Sequence, residues 1–224
     1  MTERPIIFDG ESVRAILAGR KTQTRRVVTP QPEHFSEYPH WRWRHKTGLI
    51  AYDSGDRPGP YGKYVPGDRL WIREKYSVAP TPGCSFGEAM RGAKLTVTYC
   101  AGGDKHLSGG TIVGPGLRMD YGAADYNEDF YGIVRSPMFM PRWASRPTVL
   151  EVVAVRVERL HDISDADVVA EGIPIDVSPP HDGTRLNATG RQLVYRARWD
   201  AINGKRAPWA SNPWVWVVEF RRVE

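Results

Sequence analysis

Thr148-Val149-Leu150-Glu151-Val152-Val153-Ala154-Val155-Arg156-Val157-Glu158 is the most regular stretch of this chain, and the fold is read outward from it. Val149, Val153, Val155 and Val157, joined by Leu150 and Val152, make a long strand buried mostly on one side. Beyond it, Ser164-Asp165-Ala166-Asp167 has the form of a capping box, in which a serine hydroxyl and a nearby acidic side chain satisfy each other's backbone donors. It opens a helix over Asp165 to Glu171, and Gly172 supplies the left-handed stop, so Glu171 falls at the helix end. A further helix is expected over Gln192 to Ile202. Trp214-Val215-Trp216-Val217-Val218-Glu219-Phe220 then forms a strand of β-branched and aromatic residues.

Toward the N-terminus, Val13, Ile16 and Leu17 recur at helical spacing, with Asp9 or Ser12 available as the N-cap and Gly19 placed to end the turn, which predicts a short amphipathic helix over Glu11 to Arg20. Arg20-Lys21-Thr22-Gln23-Thr24-Arg25-Arg26 leads from it into a strand at Val27 and Val28. Pro66-Gly67-Asp68 is a turn signature, and Leu70-Trp71-Ile72-Arg73-Glu74 alternates as a half-buried strand with Leu70 and Ile72 inward. Residues 30–66 and 77–146 show no sustained period. They read as two long loop insertions in a single domain of residues 1–224, the first with one strand and the second with one around Lys94 to Tyr99. Short helices between strands that return late in the sequence indicate an α+β fold, a small mixed β-barrel with helices on its rim.

Composition narrows the functional classes. The chain has 224 residues, 41% of them hydrophobic, so a core can be built. The longest apolar run, Trp214 to Val218, is five residues, against about 20 for a membrane-spanning helix. Pro5 to Phe8 is too short for a secretory core, so a cytoplasmic protein without membrane association is expected. Cys84 and Cys100 are the only cysteines and read as free thiols. The net charge is +5, and 24 of the 31 basic residues are arginine. Guanidinium groups stack on flat rings and grip phosphate, which suits nucleotide or nucleic-acid ligands, although arginine-rich codon usage gives the same composition.

Four features bear on chemistry. Lys21 and Thr24 lie three apart beside Arg20, Arg25 and Arg26, and an amine next to a hydroxyl is a base-and-nucleophile arrangement if burial or neighbouring cations hold the amine neutral. The same residues also describe a solvated basic turn. Glu171 sits where the helix dipole disfavours a carboxylate, and a nearby lysine would explain it. Glu74 is expected to end its strand in a surface ion pair with an arginine. Trp41-Arg42-Trp43-Arg44 alternates rings and cations, a mixture that stacks bases and neutralises phosphates; it equally suits a tryptophan pair sealing a core beneath arginine stems. His34, His40 and His45 lack partners at metal-ligand spacing, and no phosphate loop or hydrolase elbow occurs, so neither a metal nor a cofactor is expected.

Several separated blocks together resemble the ASCH domain family. They are Gly19-Arg20-Lys21-Thr22-x-Thr24-x-Arg26, Pro66-Gly67-Asp68-x-Leu70, the strand from Thr148 followed by Asp162-Ile163-Ser164 and Ala170-Glu171-Gly172, and Trp216-Val217-Val218-Glu219-Phe220. Met140-Pro141-Arg142-Trp143, Trp199-Asp200-x-Ile202-Asn203-Gly204 and Asn212-Pro213-Trp214 are similar to the longer members common in phages and prophages. The resemblance implies a PUA-like barrel with a cleft for RNA or a modified nucleobase. Small bacterial members are amidohydrolases that remove the acyl group from N4-acetylcytidine with a lysine, a threonine and a glutamate, which fall here on Lys21, Thr24 and Glu171. Arg20, Arg26, Glu74, Trp41 and Trp43 are the candidate substrate-binding residues. Other members bind or cut RNA, so a modified nucleoside and single-stranded RNA are the two expected partners.

Overall fold

The computed structural model describes residues 3–34, 41–44, 50–53, 64–80, 94–108, 134–173 and 190–223. Eleven strands and three helices form there: β1 (Glu3–Ile7), α1 (Gly10–Leu17), β2 (Gln23–Val27), β3 (Glu33–His34), β4 (Trp41–Arg44), β5 (Ile50–Asp53), β6 (Arg69–Arg73), β7 (Tyr76–Pro80), β8 (Lys94–Tyr99), β9 (Asp104–Ser108), β10 (Val149–Arg159), α2 (Asp165–Ala170), α3 (Gly190–Asn203) and β11 (Trp214–Val223). The fold is mixed α+β, with one five-stranded sheet in the order β1-β6-β10-β11-β2 and two three-stranded sheets, β3-β4-β5 and β7-β8-β9. The five-stranded sheet has β1 and β2 as edges, so the described strands do not close into the expected barrel. Closure depends on strand tilt and stagger, quantities set by non-local pairing.

The chain forms two compact units, one of Ala15–Arg69 with Glu151–Arg222, the other of Thr2–Arg14 with Leu70–Leu150. The first is built around a cluster of Leu160, Ile163, Val168, Ile173, Tyr195, Trp199, Val215 and Val217, to which the inward faces of α2, α3 and β11 all contribute. The second has its own cluster of Tyr76, Val97, Tyr99, Met140 and Ala144. Val97, Tyr99, Met140 and Ala144, from the second expected insertion, thus bury apolar surface together with Tyr76. In the first expected insertion, three short strands pair antiparallel, with Trp41 opposite Asp53 and Trp43 opposite Ala51, where a loop with a single strand was read. Strands this short carry little period, and only their partners reveal them. In β6, Leu70 and Ile72 are buried as expected, but Trp71 is buried too, because Arg73 stacks on its ring at 4.7 Å.

Around the future site the local signals hold. Asp9 accepts from the Ser12 amide at 2.7 Å and caps α1, which ends three residues earlier than its period suggested. Ser164 and Asp167 form the full capping box of α2, with the Ser164 hydroxyl accepting from the Asp167 amide and the Asp167 carboxylate accepting from the Ser164 amide. β2 pairs antiparallel with β11 in a register that sets Thr24 opposite Val218, Arg25 opposite Val217 and Gln23 opposite Glu219. No helix among the described residues is long and apolar enough to cross a membrane.

Candidate active site

The chain reaches the site through the exit of α1. Gly19 takes a left-handed φ of +71°, and the amides of Arg20 and Lys21 both donate to the Ala15 carbonyl, at 2.9 and 3.1 Å. Lys21 then bridges antiparallel to Glu171, the residue that closes α2, while the Thr22 amide donates to the Ala170 carbonyl at 2.9 Å. Gly172 makes this approach possible. Its φ is +90°, and a Cβ there would lie 2.9 Å from the Ala15 Cβ and 3.1 Å from the Lys21 Cβ, closer than side-chain carbons pack.

With the backbones locked together, the side chains meet. Lys21 Nζ donates to Glu171 Oε2 at 2.6 Å and to the Glu171 carbonyl at 2.8 Å, and both residues are only 5% exposed. Burial drives the lysine below its ordinary pKa against the upward pull of Glu171, and the charges of Arg198 and Arg26 depress it further. The other Glu171 oxygen, Oε1, accepts from Arg25 Nη1 at 3.4 Å. Arg25 is fully buried; its Nη2 is paired with Glu158 and lies 3.3 Å from Asp167 Oδ2. Arg156 binds the outer side of the same carboxylates, reaching Glu158 Oε2 at 3.1 Å, Asp167 Oδ1 at 2.8 Å, and Glu219.

Two other groups respond to this network. Asp167 is held down at about 2: burial raises its pKa, but hydrogen bonds from Ser164 and Gln23 and the charge of Arg25 outweigh that. Tyr195, buried on α3, is pushed well above its ordinary range, first by burial and then by the charge of Glu171. A carboxyl whose native pKa is depressed stabilises the fold above its unfolded value and loses that contribution on protonation. The thermal stability advantage of the wild type over Asp167→Asn should therefore shrink as pH falls from about 3.8 to about 2, followed by circular dichroism across that range. A constant difference over the same window would show that the carboxylate's charge plays no part.

The sequence-predicted residues divide. Lys21 and Glu171 are in hydrogen-bond contact. Thr24 is buried on β2, where strand alternation places it on the face opposite Gln23 and Arg25. Arg20 is exposed and reaches the Gly172 carbonyl at 3.4 Å; Arg26 is half-buried and acts on Lys21 through its charge. Glu74 belongs to the other unit and is not at the surface as expected: at 1% exposure it is paired with Arg146, and Oε2 accepts from the Ala101 amide at 3.2 Å. The arginine also lies over the Tyr99 ring at 4.2 Å and donates to the Gly102 carbonyl, which holds the pair off the surface. The side chains of Trp41 and Trp43, together with His40 and His45, lie outside the described residues. Among those described, no group of three or more His, Cys, Asp or Glu is disposed to hold a metal ion.

Arg25, Arg156, Glu158, Asp167 and Tyr195 were not singled out from sequence. A signal existed: Lys21, Gln23 and Arg25 alternate, Arg156 and Glu158 alternate toward the end of a mainly apolar strand, and Asp167 lies four residues before Glu171 at the end of one helix. Charges repeating at the period of a buried face imply partners on that face. Compared with protein-family models, with curated proteins and with solved structures, the chain matches none.

Proposed function

We propose that this protein is an amidohydrolase that removes the acyl group from N4-acylated cytidine or a related modified nucleoside, carried on a PUA-like scaffold of the ASCH type. The observation that supports this reading most is the Lys21–Glu171 pair, a buried amine 2.6 Å from a carboxylate at the end of a capped helix. A lysine is useful as a base near neutrality only when its cationic form is disfavoured, and burial disfavours it here. A neutral amine keeps two N–H donors, which match the two Glu171 oxygens it faces, and accepts a proton on the remaining lone pair.

In the proposed reaction Lys21 takes the proton of a water molecule as its oxygen attacks the acyl carbonyl, because Thr24 leaves β2 on the face opposite Arg25 and Glu171. The tetrahedral intermediate collapses with cleavage of the C–N bond, and the lysine ammonium returns the proton to the departing exocyclic nitrogen. The products are the free exocyclic amine and the carboxylic acid. Glu171 stabilises the ammonium that exists between the two transfers.

Incubation with N4-acetylcytidine should release cytidine. Lys21→Ala should lower kcat by at least about 100-fold, the usual scale of general acid–base catalysis. Thr24→Val should keep most of the wild-type rate; an inactive but folded Thr24→Val would make the Thr24 hydroxyl the attacking group. Absence of turnover on every N4-acylcytidine tested would overturn the reading, and affinity for single-stranded RNA that falls steeply with salt would replace it with RNA binding.

A further inference from the structure

We propose that Arg25 is a positioning residue of this site, holding the Glu171 carboxylate by Oε1 so that Oε2 faces the Lys21 amine, and thereby setting how tightly Glu171 retains the lysine's proton. The inference rests on the proposed function for its catalytic meaning, but its physical content concerns Lys21 alone. Arg25 occupies a position that the motif Lys21-Thr22-x-Thr24-x-Arg26 leaves open.

Three observations carry it. The Arg25 side chain has no solvent exposure, and its two terminal nitrogens both reach carboxylates. Those carboxylates come from two elements: Glu158 from β10, and Asp167 and Glu171 from one face of α2, one helical turn apart. Each of the anchoring carboxylates is also held elsewhere. Asp167 accepts from Gln23 at 3.0 Å and from the Ser164 hydroxyl at 2.7 Å, and Arg156 grips both Asp167 and Glu158. The guanidinium is therefore fixed by groups that do not move with Lys21, and a rigid planar fork is well suited to orient a carboxylate.

The charges facing Lys21 and Glu171 come from every neighbouring element. Arg25 and Arg26 lie on β2, Asp167 on α2, Glu158 on β10, and Arg198 with the Tyr195 hydroxyl on α3, while Arg20 reaches the carbonyl next to Glu171. Arg25 shares the Glu171 carboxylate with Lys21, one on each oxygen. Without it, the full negative charge of Glu171 acts on the ammonium and the proton is retained to higher pH.

The test reads the Lys21 proton directly. In protein labelled with 15N-lysine, Lys21→Arg assigns one of seven lysine side-chain signals. The titration midpoint of that signal in the wild type is compared with Arg25→Gln and Arg25→Lys. The expected result is an upward shift of about one pH unit in Arg25→Gln, a smaller one in Arg25→Lys, and an equal displacement of the pH–rate profile for cytidine release. Arg25→Lys keeps a buried charge, so it provides the reading if Arg25→Gln does not fold. A merely structural arginine would lower activity evenly at all pH values with the midpoint unmoved, and that outcome overturns the proposal. Cytidine release by the wild type without a midpoint shift leaves the amidohydrolase and removes the positioning role. A midpoint shift in Arg25→Gln, with no cytidine released from N4-acylcytidine by the wild type, keeps the positioning role and removes the amidohydrolase.

Discussion

Glu171→Gln should destabilise the protein by about 3–5 kcal/mol at pH values where Lys21 is protonated, the usual consequence of removing one partner from a buried ion pair. The change leaves Lys21 buried opposite a neutral amide while Arg25 keeps Glu158 and Asp167. The penalty depends on pH with a definite sign. Glu171 is what raises the Lys21 pKa against burial, so its loss depresses that pKa further below 10.5. Between the depressed value and 10.5 the native state binds fewer protons than the unfolded chain, and stability rises with pH across that window. Urea unfolding of Glu171→Gln at a series of pH values should show the largest loss at the acid end of this window and a smaller one toward its alkaline end. The double variant Lys21→Met with Glu171→Gln should regain part of the lost stability, since no uncompensated amine remains, yet release no cytidine. A Glu171→Gln protein that loses less than about 1 kcal/mol at every pH would place the pair in solvent-like surroundings.

Gly172→Ala should be comparably damaging for a different reason. The residue holds φ at +90°, where a side chain is strained, and the new Cβ would stand 2.9 Å from Ala15 and 3.1 Å from Lys21, both packed side-chain carbons. The backbone contributes about 1–3 kcal/mol and overpacking a similar amount. Gly19→Ala is the control. It shares the left-handed conformation, at φ +71°, but nothing lies within 4 Å of its Cβ, so it bears only the backbone part. Denaturant midpoints of the two variants give the contact cost by difference. Because the clash pushes on Lys21 itself, Gly172→Ala should also lose activity beyond its loss of stability, whereas Gly19→Ala should not. Equal midpoints would mean that α1 and α2 yield around the new methyl group.

Local chemistry made several parts of this architecture legible in advance. The Ser164–Asp167 capping box, the left-handed Gly172, the strand from Val149 and the strand from Trp214 each follow from interactions within a few residues of chain, which is why their boundaries agree closely with the structure. Glu171 was noticed because a carboxylate at a helix C-terminus opposes the dipole, and its partner is the lysine that such a placement invites. Three short strands in residues 33–53 were missed because strands of two to four residues carry almost no period of their own. Glu74 was expected at the surface because nothing adjacent in sequence shows the Tyr99 ring that stacks its arginine partner.

By itself, then, the sequence determined the longer helices and strands and the caps of α1 and α2, the exclusion of a membrane-length apolar run, and the pair Lys21 and Glu171 as a candidate site. The tertiary structure alone decided that Arg25 is surrounded by Glu171, Glu158 and Asp167, that Thr24 sits on the opposite face of β2 from Arg25, and that Glu74 is a structural ion pair. The division has one physical cause. Caps and periods are set by neighbours along the chain, whereas the charge state of a buried amine is set by whichever groups the register of β2 against β11 and the closeness allowed by Gly172 bring to it from more than a hundred residues away.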